Sequence, residues 1–226
     1  MLSAHEISDR LERVRGRMAD AVRQAGRESG SVRLVLASKT QPPAAVAAAF
    51  AAGARDFGEN YVQEAVSKRS TLGELDIRWH LIGHLQTNKA RAAVETFDLI
   101  QTLDSERLAA ALFRLRQSPP MPVLVEINLA GEESKSGLEP GRAEALINSV
   151  RDQVDVQGLM AIPPAMPVSE AARPLFRQLR ELRDQLSAAT GLALPELSMG
   201  MTDDFEAAIL EGATIVRVGR AVFGER

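Results

Sequence analysis

The sequence predicts an α/β protein built as a closed (β/α)8 TIM barrel with an extra helix at its N-terminus. Eight short apolar runs alternate strictly with stretches rich in Ala, Leu, Arg and Glu. Several runs are almost continuously apolar, as parallel strands covered by helices on both faces must be. The length of 226 residues fits a single α/β barrel, which commonly takes roughly 200–250 residues, so residues 1–226 are read as one domain. An open doubly wound sheet made of the same elements is the alternative.

Residues 5–28 form the extra helix, because Ile7, Leu11, Val14, Met18, Val22 and Ala25 recur at helical spacing. Arg10, Arg13 and Arg17 share another face, which reads either as a basic docking surface or, with Glu12 and Asp20 interspersed, as an ordinary solvated one. The strand-like runs are 32–39, 54–58, 77–83, 98–103, 122–129, 154–162, 195–200 and 214–219. Helical stretches fill the intervals, including an Ala-rich one at 44–52, and SPPMP (118–122) and PPAMP (163–167) read as turns. The ending GRAVFGER leaves little room for a full eighth outer helix, a gap that the N-terminal helix is placed to cover.

Composition removes several classes of function. The absence of cysteine excludes disulfides, thiolate nucleophiles and Cys-ligated zinc, and favours a cytoplasmic address. No apolar run approaches the ~20 residues of a membrane span, and the charged start MLSAHEISDRLERVRGRM lacks the apolar stretch of a secretion signal. A net charge of −3 argues against general nucleic-acid binding. The 27 basic residues comprise 23 Arg and only four Lys: Lys39, Lys68, Lys89 and Lys135. Where Arg carries the ordinary surface charge, a retained Lys points to chemistry that Arg cannot perform, such as imine formation.

Barrel chemistry sits at the C-terminal ends of the strands, and here that rim collects polar residues and glycines. Lys39 ends the first strand, on the same face as Val35 and Ala37. An amine leaving a buried strand is partly desolvated, which lowers its pKa and frees it to attack an aldehyde. SMGMTDDF passes from the seventh strand through Gly200 into a helix start, with Ser198 and Thr202 as hydroxyl donors, and Gly219 ends the eighth strand. Together these read as a phosphate cradle. The same turn also reads as plain capping, with Asp203 as N-cap and Glu206 three residues on.

Arg217 shares a face with Gly219, and Glu126 shares one with Asn128, so a Glu126–Arg217 contact inside the barrel is conceivable. His80 and His84 have the spacing of a helical metal site, but WHLIGH reads as strand and turn and no metal is expected. Trp79 reads as packing, whereas Lys89 and the Ser134–Gly137 stretch around Lys135 read as rim contacts or plain surface.

Taken together, VLASKT, FGENYVQEA, WHLIGHLQTNK, VEINLAGEESKSGL, GLMAIPP, LSMGMTDDFEAAI and VRVGRAVFGER resemble the pyridoxal phosphate homeostasis protein family, in order over residues 34–226. The resemblance implies a barrel like the N-terminal domain of alanine racemase (PLP fold-type III) and bound pyridoxal 5′-phosphate (PLP). It also implies a role in PLP homeostasis and supply rather than turnover. Carried over residue by residue, it implies a Schiff base on Lys39, Asn60 near the ring, Arg217 at the pyridine nitrogen, and phosphate contacts from Ser198, Thr202, Gly219 and Arg220. At position 220 the family pattern implies a small hydroxyl residue, so the arginine is a departure.

An arginine at the pyridine nitrogen would leave it unprotonated and the ring a weak electron sink. With one tyrosine, Tyr61, no cysteine and no second racemase domain in the sequence, the expected protein is a non-catalytic PLP carrier. It would act as a monomer, with PLP-dependent apo-enzymes as candidate recipients and no nucleic-acid or membrane partner. A PLP-dependent amino-acid racemase and a PLP-free Schiff-base barrel are the alternatives.

Overall fold

The computed structural model describes residues 2–73, 75–131, 136–164 and 169–225. Eight parallel strands pair in sequence order and close into a barrel. They are β1 (Arg33–Ala37), β2 (Asp56–Glu59), β3 (Arg78–Leu81), β4 (Leu99–Leu103), β5 (Pro122–Glu126), β6 (Asp155–Met160), β7 (Glu196–Ser198) and β8 (Ile215–Val218). Closure is made by β8 against β1, with Val35 opposite Arg217. The open doubly wound alternative is therefore excluded. Most strands are shorter than the apolar runs that predicted them, because ladder pairing stops where the chain bends out to the rim, as at Ser38 and Lys39.

The outer layer comprises α1 (Ala4–Gln24), α2 (Pro43–Ala51), α3 (Val62–Thr71), α4 (Ala90–Thr96), α5 (Glu106–Leu115), α6 (Ala143–Val150), α7 (Arg173–Thr190), α8 (Phe205–Leu210) and α9 (Arg220–Phe223). The last outer helix is a single turn, and α1 packs against α2, α8 and α9 to close the ring beside it. A capping box starts α1: the Glu6 N–H donates to the Ser3 hydroxyl at 3.2 Å, and Ser3 N–H donates back to the Glu6 carboxylate at 2.7 Å. Its apolar stripe, Ile7, Leu11, Val14, Met18 and Val22, is buried, together with Ala21.

Of the basic face, Arg17 is drawn into the fold. It bonds Glu206 at 2.5 Å and lies over the Phe205 ring, so it packs onto α8 rather than standing out for a partner.

Most of the core lies between barrel and helices. A second, separate cluster, Val35, Leu99, Leu124, Met160 and Ile215, fills part of the barrel interior. That cluster fixes the inward face of β1 and β8, and with it the direction of the residues two and four positions further on.

Truncating Leu11, which is fully buried against the barrel wall, is expected to cost about 2–5 kcal/mol. Urea unfolding of Leu11→Ala measures this; a loss below half a kilocalorie would mean that α1 is not needed to close the ring.

Candidate functional site

Val35 faces inward, so period-two alternation carries Ala37 and then Lys39 toward the barrel mouth, and both line a cavity of about 460 Å³ at the C-terminal ends of the strands. The same cavity is lined by Asn60 after β2, Thr202 after β7, and Arg217, Gly219 and Arg220 from β8 and its continuation. Ile82, Ile162 and Phe223 supply apolar wall. Six of the seven residues expected at the site thus meet around one space. The seventh, Ser198, is fully buried beneath the wall, where its hydroxyl is committed to Arg217 and Gln101.

The backbone on both sides of Lys39 is held by a buried cluster. Lys68, from α3, is almost wholly buried. Its Nζ donates to the Ser38 carbonyl at 2.7 Å, to Glu59 Oε1 at 2.6 Å and to Glu64 Oε1 at 2.7 Å. Ser38 Oγ donates to the same Glu59 oxygen at 2.6 Å, and the Thr40 N–H donates to Glu64 at 2.5 Å. Thr40 has φ 66°, the only positive φ outside glycine among the described residues, and the bond to Glu64 supports that turn. Burial pushes the Glu59 carboxyl up, against the hydrogen bonds from Lys68 and Ser38; its Oε2 has no partner.

Arg217 enters from the neighbouring strand β8, in register with Val35, and is 3% exposed. It donates from NH1 to Ser198 Oγ at 2.5 Å and from NH2 to the Ala161 carbonyl at 2.8 Å. Burial pulls its guanidinium down to about 10, while the charges of Asp204 and Glu126 oppose the shift; it remains a cation at neutral pH. The conceived Glu126–Arg217 contact is electrostatic only. Glu126 Oε1 accepts from Ser136 at 2.9 Å, and Oε2 is buried without a partner. Burial raises the Glu126 carboxyl; the Ser136 bond and the charges of His84 and Arg217 offset part of the rise, and Asp104 adds to it.

Two glycines let the chain pack closely at the rim, one beside the end of β1 and one beneath α8. A Cβ at Gly219 would stand 3.0 Å from the Ala37 carbonyl, and one at Gly200, where φ is +89°, would stand 2.5 Å from Ala208 Cβ. The first internal bond of α9 runs from Val222 N–H to the Gly219 carbonyl, so the Arg220 and Ala221 amides precede it.

The predicted capping by Asp203 does not occur. Asp204 occupies the N-cap position without a side-chain cap, and its Oδ1 instead accepts the Met201 N–H at 2.6 Å within the turn. Asp203 pairs with Arg220 across the mouth, and Glu206 pairs with Arg17. The helix is one residue shorter than the sequence suggested because that turn consumes Asp204.

His80 and His84 do not meet: His80 bonds Asp56 and Gln101 inside the barrel, while exposed His84 pairs with Asp104 at 3.3 Å. No group of three or more His, Cys, Asp or Glu among the described residues could hold a metal ion. Tyr61 is 64% exposed and lines a neighbouring cavity with His84 and Lys89. Lys135 lies outside the described residues. Sequence reasoning missed Lys68, Gln101 and Asp56. The available signals were the scarcity of lysine for Lys68 and a lone amide inside the apolar run LIQTL for Gln101.

A closed eight-stranded barrel with an amine just past its first strand and a guanidinium on its last is similar in fold to a racemase domain. The profile described as alanine racemase, N-terminal domain, matches residues 12–226. The fold is shared with the alanine racemase of Corynebacterium glutamicum (TM-score 0.72, 15% identity), of which this chain covers 61% while 99% of it is matched. A pyridoxal phosphate homeostasis protein from Aquifex aeolicus is 45% identical over 222 residues, 96% of this chain and 97% of the relative. PipY of Synechococcus elongatus PCC7942, solved with PLP bound, superposes with a TM-score of 0.83 at 39% identity, covering 96% of this chain and 100% of its own. The chain belongs to the pyridoxal phosphate homeostasis protein family.

Lys68→Met should cost about 3–5 kcal/mol, because it strands the Glu59 carboxylate in a buried site; chemical denaturation measures the loss, and adding Glu59→Leu should recover much of it. Glu126→Gln has a pH signature. The folded carboxyl holds its proton to higher pH than the unfolded one, so wild type loses stability as pH rises from the ordinary carboxylate range through the raised folded value. The variant should therefore be the more stable at neutral pH, with the gap closing toward acid. Parallel pH–stability curves would refute this.

Proposed function

We propose that this chain binds PLP in the cavity between Lys39 and Arg217 and holds it reversibly, without turnover, as part of PLP homeostasis and supply. The observation that carries the reading is the joint lining of one cavity by the Lys39 amine, the buried Arg217 guanidinium and the Gly219–Arg220 turn. That donor set fits a phosphorylated aromatic aldehyde: one primary amine, a fixed cation, a Thr202 hydroxyl, and the Gly219–Arg220 turn that lines the same space.

When bound, PLP supplies an aldehyde that condenses reversibly with an amine and a ring that accepts electrons in proportion to its protonation. Lys39 offers the amine from a backbone fixed on both sides by Lys68 and Glu64. Arg217 offers N–H donors and stays a cation at neutral pH, so an acceptor nitrogen facing it is bonded without being protonated. Thr202 and the amides of Gly219 and Arg220 are placed to hold the phosphate, with the Arg220 guanidinium at the rim beside Asp203. Asn60 lines the same space and is assigned to the ring. Ser198 serves by seating Arg217.

Three further points support binding over catalysis. The names of the curated relatives describe homeostasis. Among the described residues lining the cavity there is no tyrosine, histidine or cysteine to act as a second proton carrier. The protein's one tyrosine belongs to the neighbouring cavity. We place the protein in the cytoplasm as a monomer; among the described residues no helix is long and apolar enough to cross a membrane.

Adding PLP to the purified protein should give a visible absorbance band. Borohydride should trap the cofactor on Lys39, read by peptide mapping, and Lys39→Ala should remain folded and lose the trap. Mapping to another residue would relocate the site. Sustained conversion of an amino acid that depends on Lys39 would overturn the non-catalytic reading in favour of a racemase-like enzyme.

A further inference from the structure

Arg217 does not stand alone in the barrel. Its NH1 donates to Ser198 Oγ at 2.5 Å, and Ser198 Oγ donates to Gln101 Oε1 at 2.6 Å. Gln101 Nε2 lies 3.0 Å from His80 Nδ1, and His80 Nε2 lies 3.0 Å from Asp56 Oδ1. Asp56 Oδ2 accepts from Arg78 at 2.9 Å. Every member from Asp56 to Arg217 is at least nine-tenths buried. The file starts at Asp56 and Arg78, the first residues of β2 and β3, and ends at the C-terminal ends of β7 and β8. It therefore crosses the interior to the cavity wall.

Its direction is set at the two ends. A guanidinium can only donate and a carboxylate can only accept. Ser198 accepts from Arg217, so its own hydrogen goes to Gln101 Oε1. The amide nitrogen of Gln101 is then the donor toward His80 Nδ1, and His80 carries its hydrogen on Nε2, toward Asp56. Turning any one member around brings two donors or two acceptors face to face in a dry site, which such networks tolerate poorly. Burial by itself would raise the Asp56 carboxyl, but the hydrogen bond from His80 and the charges of Arg78 and Arg33 lower it, so the acceptor end stays ionised. None of these three residues lines the Lys39 cavity.

We infer that Gln101, His80 and Asp56 are positioning residues for Arg217, and that their one-way file of hydrogen bonds sets the angle at which the guanidinium meets its ligand. The inference rests on the PLP reading for the ligand, a ring nitrogen, but the file itself belongs to the unloaded protein. Gln101 is the pivot, since its two ends differ only in which is donor and which acceptor.

The test has an unloaded arm and a loaded arm. In the unloaded protein, nitrogen NMR should show His80 neutral with its hydrogen on Nε2 and one set of Arg217 guanidinium signals; a hydrogen on Nδ1 overturns the file. Gln101→Met keeps the bulk and removes both bonds. Gln101→Glu keeps the shape and Ser198's acceptor but makes His80 a donor at Nδ1. Both should change the Arg217 signals. In the loaded arm, Gln101→Met should weaken PLP binding about tenfold, the worth of one hydrogen bond to a charged group. Both variants should move the visible band while borohydride still maps to Lys39. A merely space-filling glutamine predicts that folded Gln101→Glu keeps the wild-type band and affinity, and that result overturns the inference. Should one variant not fold, the other and the wild-type tautomer decide. Failure of wild type to take up PLP would sink the proposed function while leaving the NMR arm to judge the file.

Discussion

A positive charge buried inside a closed barrel is the constraint around which this interior is arranged. Most barrel interiors are filled by branched aliphatic side chains in layers, and here Val35, Leu99, Leu124, Met160 and Ile215 do that for part of the interior. They cannot fill the space around Arg217, because the guanidinium would then face hydrocarbon at a cost far beyond any packing gain. The polar file from Ser198 to Asp56, with the Ala161 carbonyl, takes that place. The mouth of the barrel therefore presents a guanidinium whose position is fixed from below, and the cavity's chemistry follows from how the interior charge is satisfied.

The backbone that carries the amine is fixed by different means. Lys39 follows a strand end rather than lying within one, so the ladder alone does not hold it. Lys68, Glu59 and Glu64 tie down the Ser38 carbonyl and the Thr40 amide, and hold Thr40 in a left-handed conformation. Lysine suits that role because one ammonium points three hydrogens at three acceptors around a single centre, which a planar guanidinium cannot do. Arginine appears where forks are wanted, as where Arg173 and Arg177 of α7 close on the buried Glu211 carboxylate. A seated guanidinium and an amine on a fixed backbone, lining one small cavity, are what orientation-dependent capture of a ligand requires.

The sequence made the barrel legible because βα alternation and apolar runs are local signals, and Lys39, Arg217 and Gly219 were legible because strand period and rim position are too. The strand ends were read too long, since apolar character persists past the last ladder bond. The side-chain cap read at Asp203 does not form, because the N-cap position falls at Asp204, whose carboxylate the Met201 turn takes, while Asp203 pairs with Arg220, and sequence spacing does not say which bond forms. The polar file was not visible. Asp56, His80, Gln101 and Ser198 come from four different strands, and only closure of the barrel brings them into line. The spacing of His80 from His84, already set aside as a metal site because WHLIGH reads as strand and turn, says nothing of its partners, which are 24 and 21 residues away. Ser198 was assigned directly to a phosphate because a hydroxyl at a strand end does not reveal whether it faces the cavity or the side chain below it.

The two halves of the cavity differ in rigidity, and the difference bears on holding against release. The Lys39 and Arg217 side is backed by buried, fully directed hydrogen bonds. The side proposed for the phosphate is a short turn and the first amides of a single-turn helix, spanned by an Arg220–Asp203 pair whose side chains are 56% and 74% exposed. Exposed pairs of this kind contribute about 0–1 kcal/mol and weaken with salt. Exposed Met201 and Ile162 flank the same opening. Orientation is thus secured by the interior, while the anion end is held by groups that water reaches and can replace. An enzyme that stabilises a charged intermediate gains from enclosing that end as well. A protein that takes up a cofactor and gives it back gains from leaving it open, because release then requires no unfolding of the wall that orients the ring.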